Sequence, residues 1–168
     1  IEAFKNCAKL EEVYISRTLS HILKGTFENC TTLEYIDIPN SVVSIGDNAF
    51  ANDSNIGITT FIELNVNEDL KREWQLVSIG NNAFLNCTNM YTDVISGVKA
   101  LQIPDSVTTI GNSAFENTVA YQNLTIGLSV VSLGTNAFKG STNLVRMRLP
   151  RTITTISNGA FDNCDKLE

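Results

Sequence analysis

The strongest constraint on this chain is a six-residue phrase that keeps returning. It stands as Ile45-Gly46-Asp47-Asn48-Ala49-Phe50 and comes back as Ile79-Gly80-Asn81-Asn82-Ala83-Phe84, Ile110-Gly111-Asn112-Ser113-Ala114-Phe115, Leu133-Gly134-Thr135-Asn136-Ala137-Phe138 and Ile156-Ser157-Asn158-Gly159-Ala160-Phe161. A worn copy runs from Ile22 to Phe27. The anchor residues Phe4, Phe27, Phe50, Phe84, Phe115, Phe138 and Phe161 are separated by 23, 23, 34, 31, 23 and 23 positions. A unit of that length buries no core alone, so consecutive copies must stack and share one.

One unit, from Phe27 to Gly46, shows what each part is for. Ile36 and Ile38 alternate with Tyr35 and Asp37 at period two, the pattern of a short half-buried strand. The equivalent pairs are Val13 and Ile15, Leu101 and Ile103, Leu124 and Ile126, and Met147 and Leu149. Pro39, Pro104 and Pro150 share one position just after the strand, where a missing N–H is tolerated. Val42 and Ile45 form a second apolar run on the return side, and Gly46 gives the turn a permissive backbone. Asp47 or Asn48 is expected to cap a following helical turn that points Ala49 and Phe50 inward. Stacked about 4.8 Å apart, some six coils make a slab on the order of 30 Å long.

Self-similarity at this period, with Leu-x-x-Leu-x-Leu spacing of apolar residues, predicts a leucine-rich-repeat solenoid. The expected fold is a right-handed coil with a parallel β-sheet on the concave face, short return strands and helical turns. Residues 1–168 read as a single array of about six coils. The long intervals add 11 residues near 61–74 and 8 near 91–100, and insertions in repeats map to loops. The first holds the only tryptophan, Trp74, and the second holds Tyr91. Inserted aromatics are either recognition features or covers for the coils they interrupt.

The phrases Asn29-Cys30-Thr31-Thr32-Leu33, Ile38-Pro39-Asn40-Ser41-Val42 and Ile45-Gly46-Asp47-Asn48-Ala49-Phe50, repeated along the whole chain, resemble the BspA-like leucine-rich repeats, a 23-residue class found on bacterial and protozoan cell surfaces. The resemblance implies a secreted or surface-displayed module for adhesion or binding. It implies no catalytic residues and no cofactor. Both ends fall inside a copy of the repeat, so the chain is expected to be a fragment of a longer one.

Composition narrows the remaining classes. A net charge of −6 disfavours nucleic acid, which is held by Lys and Arg on phosphates. No apolar run approaches the 18 or so residues of a membrane span. Cys7, Cys30, Cys87 and Cys164 occupy one slot, three residues after the Phe, in coils too far apart to converge on a metal. Stacked parallel positions also fit disulfide geometry poorly, so buried thiols are expected. His21 is the only histidine, on the worn return segment opposite Ser44. With no hydrogen-bonded triad in view, the reading is non-enzymatic. Asn29, Asn52, Asn86 and Asn123 fit the N-glycosylation pattern, but the repeat itself places an Asn before the Cys slot and produces three of the four matches.

The outward strand positions are the functional candidates, because solenoids bind through the sheet. They read Glu12 and Tyr14, Tyr35 and Asp37, roughly Phe61 and Glu63, Ala100 and Gln102, Asn123 and Thr125, then Arg146 and Arg148. The face therefore runs from acidic-aromatic to basic. Tyr14, Tyr35, Asp37, Trp74, Arg146 and Arg148 are the candidate binding residues. The expected partner is a host or extracellular-matrix protein or a glycan, met at the cell surface or outside the cell. The alternative is a structural spacer in a larger surface protein, with no ligand of its own.

Overall fold

The computed structural model describes residues 1–58, 74–95 and 97–168. All seven anchor phenylalanines stack in one column, in the order the sequence sets. Ring centroids lie 5.3 Å apart for Phe4 and Phe27, 5.1 Å for Phe50 and Phe84, and 5.5 Å for Phe138 and Phe161, with near-parallel planes. Such spacing between parallel rings is offset stacking, which aromatic quadrupoles favour over face-to-face overlap. The 34- and 31-residue intervals leave the column undisturbed: Phe84 and Phe115 are 5.2 Å apart. Around it, Leu33, Ile36, Ile38, Val42, Ile45, Ala49 and Phe50 are all buried in one cluster with their equivalents in other coils.

Each coil contributes two short strands. The return strands β2 (His21–Ile22), β4 (Ser44–Ile45), β6 (Ser78–Ile79), β9 (Thr109–Ile110), β11 (Ser132–Leu133) and β13 (Thr155–Ile156) form one six-stranded parallel sheet. Its register sets Ile22 beside Ile45, Ile79 and Ile110 in turn, so every inward residue meets its own equivalent.

The other strands divide into two sheets. β1 (Glu12–Tyr14), β3 (Tyr35–Asp37) and β5 (Gly57–Ile58) pair in parallel, and so do β8 (Val98–Gln102), β10 (Asn123–Thr125) and β12 (Arg146–Arg148). β7 (Asp93–Ile95) joins the second sheet antiparallel to β8, with Ile95 opposite Val98. The insertion near 91–100 is thus a hairpin rather than a loop. Gly97, just before β8, has φ 82°, a left-handed conformation that costs glycine nothing. Among the described residues no strand pairing joins these two sheets. In the third coil, Gly57 and Ile58 pair with Tyr35 and Ile36. Gly57 is therefore the outward residue beside Tyr35; Phe61 and Glu63 lie outside the described residues.

The expected helical turns are corrected: no α-helix occurs among the described residues. The segment after Gly46 alternates its hydrogen bonds instead. The N–H groups of Ala49, Ala51 and Asp53 reach back three residues to Gly46, Asn48 and Phe50, while those of Asn48, Phe50 and Asn52 cross to Asn81, Ala83 and Leu85 of the next coil. The alternation requires a left-handed residue every fourth position, supplied by Asn48 (φ 53°) and Asn52 (φ 67°). Asparagine tolerates that region better than most residues, and the reversal forbids a continuous helix. Nor does Asp47 cap its own turn. Its Oδ1 accepts from the N–H of Asn81 at 2.7 Å, and Asn81 Oδ1 accepts from Asn112 N at 2.8 Å, so this column ties coil to coil.

A second ladder runs through the asparagines before the Cys slot. The Nδ2 of Asn29 donates to Asn6 Oδ1 (2.8 Å), Asn52 to Asn29 (2.9 Å), Asn86 to Asn52 (2.8 Å) and Asn117 to Asn86 (2.8 Å). Asn29, Asn52 and Asn86 are each both donor and acceptor along the stack. Three of the four sequon asparagines are members, each with its Nδ2 engaged in a rung.

Candidate binding face

The register of β1 and β3 gathers three of the candidates. Glu12 stands beside Tyr35, and Tyr14 beside Asp37. Alternation turns Val13 and Ile36 inward and leaves these four outward. Tyr14 is 80% exposed, and its hydroxyl donates to Glu12 Oε2 at 3.1 Å. That bond, reinforced by the Glu12 charge, raises the pKa of the phenol above its ordinary 10.0. Next to Tyr35 comes Gly57, where an added Cβ would meet only the Glu34 carbonyl oxygen, at 3.7 Å. The glycine leaves the row beside Tyr35 without a side chain. The result is an acidic platform with two tyrosines, fixed by backbone pairing rather than by loops.

Arg146 and Arg148 are exposed on β12, beside Asn123 and Thr125. They belong to the other sheet, so the structure brings together Tyr14, Tyr35 and Asp37, and separately the two arginines. Trp74 joins neither group. It is half-buried and packed against the core, and the next residue, Gln75, donates its N–H to the Asn40 carbonyl at 3.2 Å. Tyr91 is also half-buried on the core, with Lys99 Nζ 4.3 Å from its ring centroid, a cation–π contact. Both inserted aromatics pack against the core.

The groups with chemical potential are placed as follows. His21 Nδ1 lies 2.8 Å from Ser44 Oγ on adjacent return strands. Among the described residues no carboxylate pairs with its ring to orient it as a base. All four cysteines are free. Cys30 and Cys87 are buried, as the shared slot predicts; Cys164 is half-buried and Cys7 exposed, departures from that expectation. Burial, the largest cause, pushes the Cys30 thiol up to about 11, away from the thiolate that reactive cysteines need.

The residue that sequence reasoning passed over is Asp53. It is fully buried, with Oδ1 accepting from the Cys30 N–H at 2.6 Å and Oδ2 buried without a hydrogen-bond partner. The signal was a lone carboxylate in a slot otherwise filled by Cys, Thr and Ser.

The BspA type leucine rich repeat region matches in six copies, over residues 1–97 and 54–168. The chain belongs to this family. A leucine-rich repeat protein from Bacteroides ovatus is 31% identical and superposes with a TM-score of 0.81 over 99% of this chain. The match takes in 38% of that protein, so the present chain corresponds to well under half of it. A leucine-rich repeat protein of T. pallidum shares the fold at 19% identity and a TM-score of 0.58, covering 95% of this chain and 57% of that one. A leucine rich cell surface protein from Faecalibacterium prausnitzii aligns at 23% identity and a TM-score of 0.44, covering 99% and 55%. No curated protein matches the chain. Among the described residues no helix is long and apolar enough to cross a membrane.

Proposed function

We propose that this BspA-type array is a non-enzymatic extracellular binding module of a surface adhesin. Its ligand is a host or extracellular-matrix protein or a glycan. The observation that carries the reading is the outward row of β1, β3 and β5, where exposed Tyr14 and half-buried Tyr35 stand among Glu12 and Asp37 next to the bare Gly57. Tyrosines bring large contact area at low entropic cost, and strand-borne side chains are already placed for recognition. Arg146 and Arg148 supply a second, basic element on the other sheet. The test is binding of the purified chain at physiological salt to a panel of matrix proteins and glycans. The Tyr14→Ala/Tyr35→Ala and Arg146→Glu/Arg148→Glu variants are measured beside it. Saturable binding lost in one double variant supports the reading and assigns the sheet; silence across the panel removes it.

A spacer is the second reading, favoured by a different observation. The phenylalanine column and the asparagine ladders propagate from coil to coil without involving any outward strand residue. Such a rod extends by repetition whatever its surface carries. It predicts no specific ligand and tolerance of both double variants.

A further inference from the structure

The slot three residues after each anchor Phe is lined by neutral, satisfied groups at every buried position but one. Cys30 Sγ donates to the Phe4 carbonyl (3.0 Å), Cys87 Sγ to that of Phe50 (3.0 Å) and Cys164 Sγ to that of Phe138 (3.4 Å). Thr118 Oγ1 donates to the Phe115 carbonyl at 2.7 Å, and the Tyr121 hydroxyl lies 3.2 Å from it and 2.9 Å from Ser141 Oγ. Asp53 breaks the series. With no exposure at all, it has one donor for its two oxygens, the Cys30 N–H on Oδ1, while Oδ2 is buried and unpartnered. The titratable groups around it are the Cys30 and Cys87 thiols, from the coils on either side, and Glu28 on the turn of the preceding coil. Lys5, the cation nearest to Glu28, pairs with Glu28 itself at 3.1 Å. Among the described residues nothing offers the carboxylate a compensating charge. A carboxylic acid at this point carries its proton on the orphan oxygen; a carboxylate leaves a buried charge with a single donor and no partner on Oδ2, which is costly.

We propose that Asp53 is kept as a neutral acid inside the stack and makes the array pH-responsive at its third coil, which loosens when the proton is lost. This is also the coil that carries β5 beside Tyr35, so the platform's edge feels the change. Burial pushes the Asp53 carboxyl from its ordinary 3.8 to about 8, with the Cys30 N–H opposing and the Glu28 charge adding to the rise. The direction follows from where the proton sits. Below the lower value both states are protonated and no penalty exists. Between the two values only the folded state holds the proton, so each rise in pH favours unfolding. Above the upper value both states have lost it and the penalty is complete.

The experiment compares urea unfolding of the wild-type chain with Asp53→Ser and Asp53→Asn across this range, because every other titrating group, His21 included, is common to all three. Relative to Asp53→Ser, the folded-to-unfolded ratio of the wild type should fall by about tenfold per pH unit between about pH 5 and 8. Protection of the Ile56 and Gly57 amide hydrogens, bonded to Asp53 O and Glu34 O, measured against the base-catalysed intrinsic rate common to all three chains, should fall over the same range in the wild type alone. Carbon NMR of the Asp53 carboxyl in the wild-type chain reads the protonation directly, whether or not the variants fold. A titration midpoint near 8 is expected. A midpoint near 4, or a wild-type-to-variant difference that does not change with pH, overturns the proposal.

Discussion

Phe115 has no exposed surface and lies between the rings of Phe84 and Phe138, 5.2 Å from each. Truncation to alanine removes both stacking contacts and leaves a cavity that neighbouring coils cannot close, since their own spacing is fixed by backbone pairing. Phe115→Ala is expected to cost about 3–5 kcal/mol in urea unfolding. At Asn52 the demand is conformational as well as polar, with φ at 67° and a carboxamide bonded on both sides. Asn52→Gly loses the two rungs but keeps the backbone relaxed, whereas Asn52→Ala also strains it. Alanine should therefore be the worse substitution by about 1–2 kcal/mol, measured by the same unfolding titration. The phenylalanine role was legible because a large aromatic at fixed spacing has one explanation. The asparagine role was not: left-handed backbone and amide ladders leave no mark in a hydrophobic pattern, although Asn29, Asn52, Asn86 and Asn117 were aligned in the sequence throughout.

Strands were readable and turns were not. Ile36 and Ile38 flanked by Tyr35 and Asp37 have a single period-two solution, and the structure places β3 there. The segment from Asp47 to Asp53 carries a cap-like residue and two inward apolar ones, features a helix shares. What rules the helix out is the next coil, which takes every second N–H, and that competitor is invisible in any one copy. The hairpin near 91–100 was missed for a similar reason, because its partner strand β8 is itself a member of the stack. Close approach between coils also explains Gly111. A Cβ there would lie 2.6 Å from both Asn81 N and Gly80 C, backbone atoms that directly follow the return strand β6. Gly111→Ala should destabilise by about 3 kcal/mol or more, beyond ordinary overpacking because no flexible side chain can move aside. A loss under 1 kcal/mol, set against the small cost typical of exposed sites, would show that the coils can separate locally.

For the whole molecule, one lattice of aromatic stacking, amide ladders and paired strands holds the coils, and the outward strand residues stand apart from it. The solenoid, the inward-facing residues and the order of the anchors followed from the repeat. The division of the described front strands into two sheets did not, since a repeat period carries no information on sheet continuity. It separates Tyr14, Tyr35 and Asp37 from Arg146 and Arg148, so the two double variants should act independently. Reversing the arginines should weaken an acidic partner and change its salt dependence, while removing the tyrosines should weaken a ligand held by contact area. The most direct measurement pairs ligand binding with urea unfolding for Tyr14→Ala/Tyr35→Ala. Binding lost with stability changed by less than about 1 kcal/mol is the predicted result, as expected for side chains outside the packed core. Binding retained, or a loss of stability comparable to that of Phe115→Ala, would contradict it.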